Sequence, residues 1–169
     1  MVRCFLIHIG GDDMKIVKKI AVVFLVVVIV LPILAYAAIV ITNNYLADTI
    51  EKELVNYSMP SNTELIDSIS ITGKLIGNGN GMQYMGSILV KSDLSCDELI
   101  EYYSNDFYFI EVREQKTASI DFIGPRNYSF NAKLEEDETY YSITCWDIDT
   151  TEYFGQFIIK LLDFDIRGH

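Results

Sequence analysis

The chain has 169 residues, with 13 lysine and arginine residues against 24 aspartate and glutamate residues, and half of its residues are hydrophobic. This length allows one modest folded domain and one apolar segment, and the composition excludes collagen-like, disordered and multi-pass channel proteins. Beyond Ile41 the chain holds nine basic and 22 acidic residues. We therefore expect no nucleic-acid partner and no attraction to anionic lipid.

Residues 20–41 form an uninterrupted stretch of 22 residues without a charge. As a helix this stretch would be about 33 Å long, enough to cross a hydrocarbon core of about 30 Å. Residues 14–19 carry three lysines, whereas the first positive residue on the other side is Lys52. The charge asymmetry predicts a cytoplasmic N-terminal region at 14–19, a transmembrane helix embedded in the lipid bilayer at 20–41, and an extracytoplasmic C-terminal part.

The same stretch also fits a secretory signal, because a lysine-rich start is followed by an apolar run and by the small-x-small sequence Ala35-Tyr36-Ala37. Cleavage by signal peptidase after Ala37 would release the C-terminal part as a secreted domain. The apolar run continues to Ile41, however, and is longer than the usual signal core of about 7 to 15 residues. An uncleaved anchor is the first interpretation, and release is the alternative.

Residues 1–13 differ from the usual start of a membrane protein, since the natural lysine-rich region begins at Met14. The sequence Ile-Gly-Gly-Asp-Asp-Met can be encoded with a purine-rich ribosome-binding sequence a few bases before the ATG of Met14. We therefore expect residues 1–13 to be a non-native translated leader from an over-extended bacterial gene prediction, or else a cytoplasmic tail. The codons of Gly10 and Gly11 test the leader, because codons that do not spell such a ribosome-binding sequence contradict it.

After the apolar stretch, Leu46, Ile50 and Leu54 recur at helical spacing, and Pro60 with the following turn formers ends the pattern. We assign 42–60 to a juxtamembrane stalk and 61–169 to the folded domain. A capping box at Ser95 and Glu98 predicts a helix from Cys96 to Ser104. Alternating patterns predict strands at 64–76, 83–91, 108–116, 119–123, 128–135 and 139–148, and the spacing at 153–162 favours a helix.

The first two strands are predicted to form a hairpin across Gly77–Gly81, and the last two a hairpin with a tight turn at Glu136–Asp137. The element order predicts an α+β fold, in which an N-terminal transmembrane helix precedes a small antiparallel sheet with one or two helices on one face.

No motif for catalysis, a cofactor or a metal is recognisable. The loop Gly77–Gly81 lacks the ending of a phosphate-binding loop and leads into a strand. The acidic run Asp147–Glu152 lacks the spacing of a calcium-binding loop and is interpreted as a solvated surface. His169 is the last residue, a poor place for a catalytic base. We expect a protein that is not an enzyme and has no cofactor.

Cys96 and Cys145 are the cysteines beyond the apolar stretch, and they can form a disulfide in an oxidising compartment. The alternative is that Cys145 is a small core residue on its strand and that Cys96, at a helix N-terminus, has a modestly acidified thiol. The sequence leaves both interpretations open.

The lysine-rich start, the single apolar stretch, Pro60 with the following Thr63–Ser68, the Gly-Asn loop and the pattern from Asp93 to Tyr103 resemble small membrane-anchored or lipoprotein domains of Gram-positive bacteria. The resemblance covers residues 60–103 and implies an extracytoplasmic α+β module without an assigned activity. We expect a binding or accessory module of the cell envelope, with another envelope or membrane protein as its partner. A secreted binding or inhibitor-like domain is the alternative, and an envelope hydrolase is third.

Overall fold

The computed structural model describes residues 11–75, 81–120, 128–146 and 156–166. The chain divides into two compact units, with the boundary in the sequence between Ala38 and Ile39. The helices are α1 (Gly11–Asn56), α2 (Cys96–Tyr103) and α3 (Gln156–Leu162). The strands are β1 (Thr63–Gly73), β2 (Gln83–Ser92), β3 (Ile110–Gln115), β4 (Ser119–Ile120), β5 (Tyr128–Ser129) and β6 (Tyr140–Trp146). The predicted α+β fold is confirmed.

The first unit contains the apolar part of α1. Its large apolar side chains are exposed along the helix, from Ile20 through Leu34. Pro32 lies inside the helix, which continues through it. By length and composition this helix could cross a membrane, and none of its most apolar 18-residue window is buried.

The second unit is built on a four-stranded antiparallel sheet with the order β1-β2-β6-β3. The predicted hairpin of β1 and β2 is confirmed, with Thr63 opposite Ser92 and Gly73 opposite Gln83. Its connecting loop at 76–80 lies outside the described residues. β6 is a central strand, bonded to β2 on one side and to β3 on the other.

The predicted hairpin between 128–135 and 139–148 is wrong. β5 ends at Ser129 and pairs with β4, and the turn at residues 136–137 leads into β6 without any pairing to 130–135. The reason is that β2 and β3 occupy both edges of β6. The segment after β5 is instead held by Asp67, whose carboxylate accepts hydrogen bonds from the backbone amides of Asn131 (2.6 Å) and Ala132 (3.1 Å).

The sheet separates two hydrophobic clusters. One face packs against the helices, and its buried residues include Leu46, Ala47, Ile50, Leu54, Tyr84, Ile88, Val90, Leu99, Tyr103, Ile143 and Leu162. The other face packs against β4, β5 and the following loop, with Ile71, Leu75, Met85, Leu89, Ile120, Phe130 and Tyr140 buried. The helices therefore lie on one face of the sheet, as the sequence predicts.

The predicted stalk is part of this core. Residues 39–56 of α1 belong to the second unit, and Leu46, Ile50 and Leu54 are buried in it. The folded unit thus begins at Ile39, whereas sequence reasoning placed its start at Ser61. The physical reason is that the apolar stripe of this segment covers the helical face of the sheet, which a separate stalk would leave exposed to water.

Candidate functional site

The C-terminal part of α1 lies directly against β2 at Gly86. A Cβ atom added to Gly86 would lie 2.4 Å from the backbone nitrogen of Glu51 and 2.7 Å from the carbonyl carbon of Ile50. Only glycine allows the helix and strand backbones to approach this closely. On the neighbouring strand β1, Ser70 donates a hydrogen bond to Asp48 and Ser68 donates one to Glu51.

A buried polar network joins α1 to the C-terminal segment, and we call it the asparagine network. Its members are Asn43, Tyr84, the carbonyl of Leu162 and Asp165. The amide nitrogen of Asn43 donates to the Leu162 carbonyl (3.1 Å) and to the Asp165 carboxylate (3.0 Å), and the Tyr84 hydroxyl donates to the Asn43 side-chain oxygen (2.8 Å). Asn43 and Asp165 are fully buried. Burial of a carboxylate is costly unless it is hydrogen-bonded, and these contacts offset that cost.

An open groove of about 590 Å³ runs along the same helical segment from Tyr45 to Tyr57, and we call it the tyrosine groove. It is lined by Tyr45, Thr49, Lys52, Glu53, Asn56, Tyr57, Asp106 and Phe107. The Tyr57 ring packs edge-on against Phe107, with ring centroids 5.2 Å apart. The pKa of Tyr57 is raised to about 12 because its hydroxyl donates to the Asp106 carboxylate. The groove therefore combines an aromatic wall with charged groups of both signs.

A second cleft, of about 440 Å³, lies where β3 ends and β6 begins, and we call it the acidic cleft. Glu114, Lys116 and residues 134–140 line it, so that carboxylates outnumber its one lysine. Glu138 also forms an ion pair with Lys91 on the surface (2.7 Å), and this raises the pKa of Lys91. Among the described residues, no group of three or more His, Cys, Asp or Glu side chains is placed to hold a metal ion.

The two cysteines lie in the same hydrophobic cluster and are not joined by a disulfide in the structure. Cys145 is a buried residue of β6, as its core interpretation predicts. The Cys96 thiol donates to the backbone carbonyl of Val112 (3.3 Å). Burial and the nearby Asp97 and Glu114 raise the pKa of Cys96, so the expectation of an acidified thiol is wrong.

Several residues singled out in the sequence lie outside the described part of the chain. They are Gly77–Asn80, Asp147–Glu152 and His169. Conversely, sequence reasoning missed Asn43, Gly86 and Asp165. A lone glycine inside the alternating pattern of β2 is a signal of close backbone approach and could have pointed to Gly86. The pairing of Asn43 with Asp165 spans 122 positions, and the sequence contains no local signal for it.

Comparison with family models, with curated proteins and with solved structures found no match to this chain.

Proposed function

We propose that the chain is a single-pass membrane protein with a cytoplasmic N-terminus, whose extracytoplasmic domain binds another component of the cell envelope. The observation that carries this proposal is the exposure of every large apolar side chain from Ile20 to Leu34. Proteins in water rarely expose a continuous apolar surface of this extent, whereas a bilayer solvates it. The lysines of residues 14–19 support the orientation.

A binding role is favoured over a catalytic one by the character of the two cavities. The tyrosine groove is lined by exposed or half-buried side chains, and the acidic cleft mostly by exposed ones. Open surfaces that combine aromatic and charged side chains suit contact with another protein. The resemblance of residues 60–103 to anchored envelope domains agrees with this role.

Release of the domain is the second candidate function, and one observation favours it. The second unit begins at Ile39, immediately after the Ala35-Tyr36-Ala37 sequence and Ala38. Signal peptidase cleavage after Ala37 would leave the complete second unit in the released product. The resulting protein would be a secreted binding domain.

The deciding experiment compares the full chain with an Ala37→Leu variant, expressed in a bacterium and recovered separately from membranes and medium. Leucine at this position removes the small residue that signal peptidase requires. For an anchored protein, we expect both chains to remain in the membrane fraction with the same intact mass. Recovery of the original chain from the medium with an N-terminus at Ala38, with retention of the variant, would establish release and contradict the anchor.

The orientation is tested with two single cysteine reporters. Lys133→Cys lies on the exposed surface of the domain, and Lys15→Cys lies before the apolar stretch. Each is made in a chain that begins at Met14 and carries Cys96→Ser and Cys145→Ser, so that the reporter is its one cysteine. A membrane-impermeant maleimide applied to intact cells should label the first variant at once. It should label the second only after the membrane is permeabilised. The opposite pattern would contradict the proposed orientation.

A further inference from the structure

The last described segment of the chain has an inverted amphipathic pattern. Residues 163–166 read Asp-Phe-Asp-Ile, and in water the two carboxylates would be expected outside and the two apolar side chains inside. The structure has the opposite arrangement. Asp165 is fully buried, whereas the exposed fractions of Phe164 and Ile166 are 66% and 68%.

Specific hydrogen bonds hold the segment in this orientation. Asp165 accepts from the Asn43 side chain on α1 (3.0 Å), and Asp163 accepts from the backbone amide of Met82, next to β2 (2.7 Å). Both carboxylates are therefore turned toward the domain, and their backbone neighbours Phe164 and Ile166 are turned away from it. Two further apolar side chains, Ile158 and Leu161 of α3, are also exposed, and the backbone amide of Phe164 donates to the Leu161 carbonyl (3.2 Å).

This surface lies close to the end of the predicted membrane span. Asn43 lies two residues beyond Ile41, the last residue of the predicted membrane span, and two residues correspond to about 3 Å along a helix. Ile41 and Tyr45, on either side of Asn43, are themselves exposed. The hydrogen bond from Asn43 to Asp165 thus fixes Phe164 and Ile166 beside the part of α1 at which the predicted membrane span ends.

We propose that Phe164 and Ile166, with Ile158 and Leu161, form a second membrane contact that inserts into the lipid interface at which the predicted span ends. This inference rests on the proposed membrane anchor. The apolar side chains enter the boundary between headgroups and acyl chains, and the inward-turned carboxylates avoid the cost of placing charge there. Because the contact is apolar and the domain is acidic, it does not require anionic lipid.

The test places a tryptophan reporter at the proposed contact in the full chain, reconstituted into vesicles of uncharged phosphatidylcholine. The variant Phe164→Trp is made in a Trp146→Phe background, because Trp146 is the one native tryptophan. The matched control is Tyr108→Trp in the same background. Tyr108 is 99% exposed. It follows Phe107, which packs against Tyr57 just after the C-terminal end of α1, away from Asn43.

We expect the Phe164→Trp emission to shift to shorter wavelength in vesicles and to be quenched several-fold more strongly by brominated lipid than that of Tyr108→Trp. If chains that float with the vesicles show equal, weak quenching of the two reporters, the proposal of a second membrane contact is overturned and the anchor is not affected. A blue shift that grows with protein concentration, without quenching by brominated lipid, would assign the surface to a second copy and also overturn the proposal. Chains that do not float with vesicles would instead contradict the anchor itself.

Circular dichroism of both reporters and of the Trp146→Phe parent checks that the substitutions preserve the fold. As a second measurement, Phe164→Ser combined with Ile166→Ser leaves the inward-turned carboxylates in place. Once circular dichroism and cooperative thermal unfolding have shown that chains lacking residues 1–37 fold, this pair should lower their partitioning into phosphatidylcholine vesicles at least about tenfold. Unchanged partitioning would contradict the proposed contact.

Discussion

The domain part of α1, residues 39–56, and helix α2 lie on the same face of the sheet but differ in what specifies them. α2 is specified by its own first turn, where the Ser95 hydroxyl accepts from the Glu98 amide and the Glu98 carboxylate accepts from the Ser95 amide (2.8 Å). The α1 segment is specified by distant residues, namely Gly86, Tyr84 and Asp165. The start of α2 is thus specified by local contacts, whereas the position of the α1 segment depends on the folded domain.

The two helices also meet each other through aromatic side chains. Tyr57, just after α1, packs edge-on against Tyr102 of α2 with ring centroids 5.8 Å apart, and lies 5.6 Å from Tyr103. Tyr103 is fully buried, and burial raises its pKa to about 12. The contact thus joins a helix that depends on tertiary structure to a helix that carries its own start signal.

The largest expected effect comes from removing the α1 segment. A chain that begins at Ala38 retains Leu46, Ile50 and Leu54, and we expect it to fold. A chain that begins at Ser61 loses these buried residues, each worth about 2 to 5 kcal/mol if truncated to alanine, against a typical total stability of 5 to 15 kcal/mol. Circular dichroism and thermal unfolding should show a cooperative transition for the first chain alone. A cooperative transition of equal midpoint in the second would mean that α1 is a separate stalk.

The next largest effect is expected from Gly86→Ala. The added methyl group would meet the backbone of Glu51 at 2.4 Å, and a backbone atom cannot move aside without displacing the helix. We expect a loss of about 3 kcal/mol or more in the free energy of unfolding, at the upper end of the usual cost of overpacking. Gly81→Ala is the matched control, since its added methyl group would lie 3.5 Å from Asp163, an ordinary contact distance. Equal stability of the two variants would show that α1 and β2 are not in backbone contact.

The same distinction explains what the sequence could and could not predict. The start of α2 was predictable because Ser95 and Glu98 act within one helical turn. The strand order was not, because nothing local in β6 indicates that it lies between β2 and β3. The role of 42–60 was misjudged because its apolar stripe fits a stalk as well as a core helix until the opposing sheet face is known. The inward orientation of Asp165 depends on Asn43, whereas composition alone suggests that this carboxylate faces the solvent.

A smaller effect is expected at the start of α2. Ser95→Ala removes the side-chain acceptor for the Glu98 amide and should cost about 1 kcal/mol in the free energy of unfolding. Ser95→Asp keeps an acceptor at the N-cap and should remain within a few tenths of a kcal/mol of the original chain. Chemical denaturation of chains beginning at Ala38 measures both. If the two substitutions cost the same, the cap does not contribute to stability as proposed.

The smallest effect concerns the pH dependence of this cap. The hydrogen bond from the Ser95 amide lowers the pKa of Glu98 below its ordinary value of 4.5. Because the folded-state pKa is the lower one, the stabilisation is fully present above pH 4.5 and is lost as the pH falls through the folded-state pKa. The difference in Tm between the original chain and Glu98→Gln should therefore be largest near pH 7 and should narrow below pH 4.5. Glu101→Gln, which removes one charge later in the same helix, is the control. A Glu98→Gln difference that stays constant from pH 7 to pH 3 would show that the Ser95 bond does not depend on the charge of Glu98.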